Sequence, residues 1–350
     1  MKFKVNFMLL VVLCFVGHLW AITGNNSESE REKTLFLTVT EQQLRAAAND
    51  GSFAIESEGI IYTFGDSNYN IDTSQVKNMS FLFQSSTASV TFNEDIGYWN
   101  VSNVNDMAGM FGQSMFNSPV DQWDVSNVTN MAGMFSGASL FNQPIGQWDV
   151  SNVTNMANMF NGARAFNQHI GQWTVSKVKD MSGMFEDASD FDSPIGDWEV
   201  TAVIDMSSIF QGAHSFNQEI GQWDLSNLKR MENMFAGAKA FNQPVDQWDV
   251  SNVMDMRRVF EDAYMFNKSI GQWDVSNVTN MSGMFRGANS FNQRIDHWDV
   301  SNVTDMSGMF WSADNFNNDL SVWSVPSISE RPPAFIRRDY PTEWLPRWGQ

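Results

Sequence analysis

The residues best placed to do chemistry in this 350-residue chain are carboxylates that recur at a fixed interval. Asp124, Asp149, Asp224, Asp249, Asp274 and Asp299 form one column, interrupted by Thr174 and Glu199. Stacked carboxylates offer the hard oxygen ligands that calcium takes, and some repeat proteins hold the ion between coils. The competing reading is local: each Asp caps the Val-Ser-Asn turn that follows it. The local reading is the stronger, because Thr174 and Ser324 are tolerated in the column and no glycine-rich nonapeptide accompanies it. A methionine column could bind a soft metal, but its spacing is that of a buried face, where Met fills irregular gaps. A tryptophan column could stack on sugars, yet every repeat needs a large apolar filler at that point. His169, His214 and His297 fall at different repeat positions, so no shared metal or acid–base role is expected. GxSxG, P-loop and HExxH patterns are absent, and the sole cysteine is Cys14. Catalysis needs a unique constellation, and periodicity argues against one, so no enzyme, no cofactor and no metal is expected.

These columns exist because the chain is a tandem array. The stretch Phe141 to Ala165, FNQPIGQWDVSNVTNMANMFNGARA, recurs at a near-constant 25 residues, only the first interval being one residue short. Its beat is Trp99, Trp123, Trp148, Trp173, Trp198, Trp223, Trp248, Trp273, Trp298 and Trp323. A fixed period of this size means a solenoid, in which each unit buries its apolar side against its neighbours. Met131, Met134, Phe135 and Ala138 stand at i, i+3, i+4 and i+7, which predicts one face of a short helix. Asn130, or Asp180, Asp205, Asp255 and Asp305, suits its N-cap, and Gly137 suits its stop. Phe141, Gln143 and Ile145 alternate, which predicts a strand over FNQPI, stacked at about 4.8 Å on the next. The expected fold class is thus an α/β repeat solenoid with one short parallel strand and one short helix per 25-residue coil. Its expected core includes Trp148, Met156, Met159, Phe160, Phe166 and Ile170, with Asn167 in a stacked Asn ladder that satisfies backbone groups.

The flanking regions differ in composition. Residues 1–21 resemble a secretory signal, with Lys2 and Lys4 before the apolar run Met8 to Val16. Export is the address this implies, and with Cys14 removed no thiol would remain. Residues 22–33 are a polar lead-in, 34–70 an N-terminal cap, 71–325 the repeats, and 326–350 a C-terminal cap or tail. Thr40 and Gln43 form a capping-box signature ahead of a short helix. A net charge of -19 excludes nucleic acid as an expected partner, since phosphates repel such a surface. No later apolar run reaches membrane length, so no span is expected in the mature chain. Sequons stand at Asn25, Asn78, Asn100, Asn127, Asn152, Asn267, Asn277, Asn280 and Asn302, and those at 127, 152, 277 and 302 follow from the repeat's own NVT.

The runs WDVSNVTNMSGMF and FNQPIGQWDVSNV resemble the repeat of BspA-like leucine-rich-repeat surface proteins. That resemblance implies a leucine-rich-repeat-like right-handed solenoid, exported to the cell surface or beyond, with a role in adhesion or protein binding and no catalytic residues. Two departures, no lipobox and no wall-sorting signal, put permanent anchoring in doubt. The expected partner is a protein, with a glycan as the alternative; the chain itself is expected to be a monomer. A structural spacer role and a calcium- or glycan-binding, lectin-like role are the competing functions. Positions that vary between coils face solvent in a solenoid and form the contact surface. Among them Lys177, Lys179, Lys229, Arg230, Arg257 and Arg258 form a basic group on an acidic protein, a candidate partner surface for an anion or acidic protein. Other variable positions are Pro144, His169, Glu219, Ser269 and Arg294.

Overall fold

Each coil is a closed run of tight turns whose corners are the apolar residues. In one coil the N–H groups of Met134, Ala138, Phe141, Trp148 and Val153 donate to the carbonyls of Met131, Phe135, Ala138, Ile145 and Val150 respectively. Positions i and i+3 of each turn therefore point inward, and every one of these corner residues is buried. The computed structural model describes residues 35–66, 69–84 and 92–350. The signal-like segment 1–21, the lead-in 22–33 and the insertion 85–91 lie outside the described residues.

The expected helix is absent, and the reason is visible in the backbone. Gly133 and Gly137 take positive φ (61° and 74°), as do their counterparts Asn158 and Asp187 in other coils, a conformation that an α-helix cannot contain. With positive φ only at the third residue, Met131–Met134 and Phe135–Ala138 are successive type II turns. Two four-residue turns set back to back give the i, i+3, i+4, i+7 spacing of a helical face. The remaining N–H groups go elsewhere: Met131, Gly133, Phe135 and Gly137 donate to Asn155, Ala157, Met159 and Asn161 of the next coil, at 2.6–3.0 Å. Parallel bridges mark this ladder from Asn78↔Asp106 to Asn280↔Asp305.

The expected strand over FNQPI is absent as well. Prolines at 119, 144, 194 and 244 have no N–H to give a ladder. Side-chain amides join the coils there instead. Asn142 Oδ1 accepts the backbone N–H of Asn167 at 3.0 Å, and Asn117 Oδ1 accepts that of Asn142 at 2.9 Å. The ladder runs unbroken through Asp192, whose carboxylate accepts from Asn217 at 2.8 Å. Gln168 Nε2 reinforces it by donating to the Asn142 carbonyl at 2.9 Å. The expected Asn ladder is thus present, though Asn167 itself is exposed.

Inside, identical rings stack in columns. Phe135 and Phe160 lie 5.7 Å apart and nearly parallel, and each pairs within its coil with a second Phe at 3.7–3.9 Å. Trp123 and Trp148 stack at 6.5 Å. The Trp148 indole N–H donates to the Val120 carbonyl of the preceding coil at 3.0 Å, so the one polar atom of the filler is satisfied.

Both ends are covered. At the amino end, β1 (Leu35–Thr38) pairs in parallel with β4 (Tyr69–Asp72), and β2 (Ala54–Ser57) and β3 (Ile60–Thr63) form a hairpin. Helix α1 (Glu41–Asn49) carries the expected Thr40–Gln43 capping box and buries Leu44 and Ala47. Arg45 donates to the carbonyls of Ser80 and Asn78 at 2.8 and 3.1 Å, standing where an earlier coil would supply donors. At the carboxyl end, Gly308 and Phe310 donate to Pro333 and Phe335, and β5 (Ser324–Val325) pairs with β6 (Arg347–Trp348).

Two substitutions test this account. Phe160→Ala is expected to cost about 3–5 kcal/mol in chemical denaturation, because it empties a ring site shared by three coils. Asn142→Ala is expected to cost about 1 kcal/mol. Asn142→Asp, which copies Asp192, keeps the acceptor and should cost clearly less in the same measurement.

Candidate binding surface

Carbonyls and glycines that face one another across coils set the floor of a surface cavity. Gly146, Gly171, Gly196 and Gly221 follow in one column, and a Cβ on them would meet the carbonyl oxygen of the next coil at 2.1–2.6 Å. In the flanking coils the same column holds Asp121 and Asp246, each bonded to its neighbouring Gln122 or Gln247. Between those two carboxylates the glycine run leaves a groove of about 660 Å³. Gln147, Gln172, Gln218 and Gln243 line it, together with His169, Pro194, Asp197 and Glu219. Gln218 and Gln243 give Nε2 donors to Asp192 and to the Asn217 carbonyl, and the amide groups that remain both donate and accept, as the hydrogen-bonding groups of an extended main chain require. His169, Pro194 and Glu219 occupy a single repeat position in successive coils, so the identity of the occupant would be read there.

The expected core residues Trp148, Met156, Met159, Phe160, Phe166 and Ile170 are all buried. Tryptophans on the beat are only 1–4% exposed, which rules them out as sugar platforms. The Asp column makes the turn-capping bonds: Asp149 Oδ1 accepts from the Ser151 N–H at 3.0 Å, and Asp274 Oδ1 accepts from both N–H and Oγ of Ser276. Among the described residues no group of three or more His, Cys, Asp or Glu is arranged to hold a metal.

The basic residues share one side but not one field. Arg230 pairs with buried Asp205 at 2.6 Å, Arg257 with Asp255 and Glu232 at 3.3 and 3.7 Å, and Arg258 with Glu261 at 3.4 Å. Lys177 Nζ donates to Asn152 Oδ1 at 2.7 Å. Lys179 and Lys229 lie two coils apart with exposed Ile204 between them. Partner carboxylates thus offset much of the positive charge that the sequence displays. The groove amides were not singled out in the sequence, because Gln147 and Gln172 recur in most coils and read as scaffold. Their signal was a polar residue kept beside a glycine where nothing apolar needed it.

Charge on the turn side is also tuned. Glu186 sits half-buried between Asn161 Nδ2 at 2.8 Å and Gln211 Nε2 at 3.0 Å. Burial, and next the neighbouring Asp187, push its pKa upward. Asp149, Asp224 and Asp274 are shifted the other way, first by the serine two residues on.

The family described as "Mycoplasma protein of unknown function, DUF285" matches residues 62–168, 141–248 and 237–340. No curated protein matches the chain. Among solved structures, the TLR13–ssRNA13 complex is similar at 10% identity and a TM-score of 0.20, over 73% of this chain and 46% of that one. A leucine-rich repeat protein from Bacteroides ovatus ATCC 8483 is similar at 8% identity and a TM-score of 0.20, over 77% and 82%. The chain therefore spans less than half of the first of these proteins and most of the second. No helix among the described residues is long and apolar enough to cross a membrane.

A pH experiment follows from Glu186. Its folded pKa lies above the unfolded one, so its contribution is most favourable at low pH and is lost as pH rises through the folded value. Glu186→Gln should therefore raise the thermal midpoint at pH 7, and the gain should vanish at pH 4 or below. The neighbouring coils already carry amides at this position as Asn161 and Gln211. Thermal melts of both proteins at the two pH values check the sign.

Proposed function

The chain belongs to the DUF285 family, and on that premise we propose that it is an exported, non-catalytic repeat protein, a leucine-rich-repeat-like solenoid that binds a protein partner through positions varying between coils. The observation that carries this reading is the glycine-floored groove, whose amide walls suit an extended main chain and whose His169 and Glu219 break a column that is otherwise proline there. A scaffold of identical coils with a few divergent exposed positions is how solenoids build recognition surfaces. The absence of nucleophile motifs in the sequence supports the non-catalytic part. Export is supported by the basic start and apolar run of residues 1–21.

The test fills the groove and checks the fold in the same protein. In the double variant Gly171→Asp, Gly196→Asp each new Cβ would stand 2.3–2.5 Å from a carbonyl oxygen of the next coil, so the backbone must yield there as it does at Asp121 and Asp246, and circular dichroism and a thermal melt check that it does. Wild-type protein, the double variant and a Lys229→Ala control would each be used to capture partners from an extracellular extract. The reading expects a defined protein bound by wild type and control but lost by the double variant. Equal capture by all three would remove the groove from the interface.

A further inference from the structure

One depression of about 370 Å³ lies apart from the groove, on the turn side beside the carboxyl-terminal cap. Its floor is bare backbone. Gly283 and Gly308 follow Arg258 in one column, and a Cβ added at Gly308 would meet nothing within 4 Å. Its wall is the column three residues on, where Glu261, Arg286 and Trp311 stand in successive coils. Ser282 and Ser307 line the depression as well, and Pro333 and Ala334 of the cap contribute to its lining.

Two residues here are not called for by the repeat. Trp311 lies off the tryptophan beat and is the one exposed tryptophan among the described residues, at 41%. Other coils manage at its position with Gly112, Ser136 or Ala236, so the core does not call for an indole. Arg258 holds a φ of 55°, where the same column elsewhere carries mostly Gly or Asn, as at Gly133, Asn158 and Gly183. The left-handed region disfavours a long side chain, and residues kept there tend to be kept for function. From that position the side chain crosses Gly283 of the next coil, with its Cγ 3.2 Å from where a Cβ would stand.

Glu261 braces two guanidiniums side by side. Its Oε2 takes Arg258 Nε at 3.4 Å and its Oε1 takes Arg286 Nη1 at 3.3 Å. The two arginine side chains are 58% and 54% exposed while the carboxylate is 16% exposed, so the cations face outward. The site keeps a net positive charge on a chain of net charge -19. Paired guanidiniums grip a carboxylate or sulfate through parallel N–H donors. An exposed indole presents a negative face to the polarised C–H groups of a sugar ring. The cavity is near the lower end of the ~300–1,000 Å³ range of small-ligand sites, enough for a sugar residue rather than a folded partner.

We propose that this pocket binds an acidic saccharide, its ring stacked on Trp311 and its carboxylate or sulfate held by Arg258 and Arg286. The inference rests on the non-catalytic binding reading above and adds a ligand class to it. It uses different columns from the groove, so each can fail alone.

Calorimetric titration of the full chain tests it, with trigalacturonic acid, a heparin-derived tetrasaccharide and neutral cellotetraose as probes. At least one acidic probe should bind about tenfold or more tighter than the neutral one, and weaken with added salt. Which acidic probe binds decides between carboxylate and sulfate. Trp311→Ala and Arg286→Gln copy Ala236 and Gln211 of the same column, so they should fold, and each should lose about tenfold in affinity. Arg258→Asn copies Asn158 and Asn233 and should move two readings in opposite directions: a higher thermal midpoint from relieved strain, and weaker binding. The Gly171→Asp, Gly196→Asp protein should bind these probes as wild type does. Equal affinity for neutral and acidic probes, no binding of any probe, or unchanged binding by the three pocket variants would overturn the proposal.

Discussion

Everything in this protein depends on how its backbone N–H groups are divided between two tasks. Along each turn segment one N–H closes a tight turn within the coil and the next reaches across to the neighbouring coil. Neither set alone would hold the chain: isolated turns are marginal, and lone bridges are not a sheet. Together they leave few buried backbone groups unmet while placing both ends of each turn inward. Side chains take over where proline removes the donor, and the Asn column then supplies the acceptors. Ring stacking is the consequence: a fixed backbone repeat puts like residues above like at 5.5–6.5 Å.

The same division frees the outside. Because the fold is secured by corners and ladders, positions between corners carry few structural duties. Glycines can then be grouped to lower the floor beneath Gln147 and Gln172, or beside Trp311, without loss of register. Ion pairs such as Arg230–Asp205 knit adjacent coils at these positions, an exposed guanidinium meeting a buried carboxylate.

The sequence made the period, the inward residues, the Asn ladder and the amino-terminal capping box legible. Each follows from a residue type whose burial or bonding has one economical solution. It misled on local conformation. Met131, Met134, Phe135 and Ala138 have the spacing of a helix face, and back-to-back turns share that spacing. The deciding signal was Gly133 together with Gly137, two glycines four residues apart inside the supposed helix, both needing positive φ. FNQPI alternated like a strand, but its proline argued otherwise. The groove was the least legible feature, since it arises from a run of glycines across coils and not from any one motif. Arg230, Arg257 and Arg258 were visible as cations, while their carboxylate partners became evident only once the coils were stacked.

Arg45 carries a wider implication. Its guanidinium meets the carbonyls of Asn78 and Ser80 that a preceding coil would otherwise meet. The lid at that end therefore meets a coil edge through main-chain carbonyls that every coil presents, with the Asn78 side chain added at 2.8 Å. Genetic gain or loss of whole units in the interior would leave both lids seated and every seam intact. Length is then a quantity that duplication can adjust freely, while the reach of each recognition site is set separately by how many glycine-bearing units happen to be adjacent.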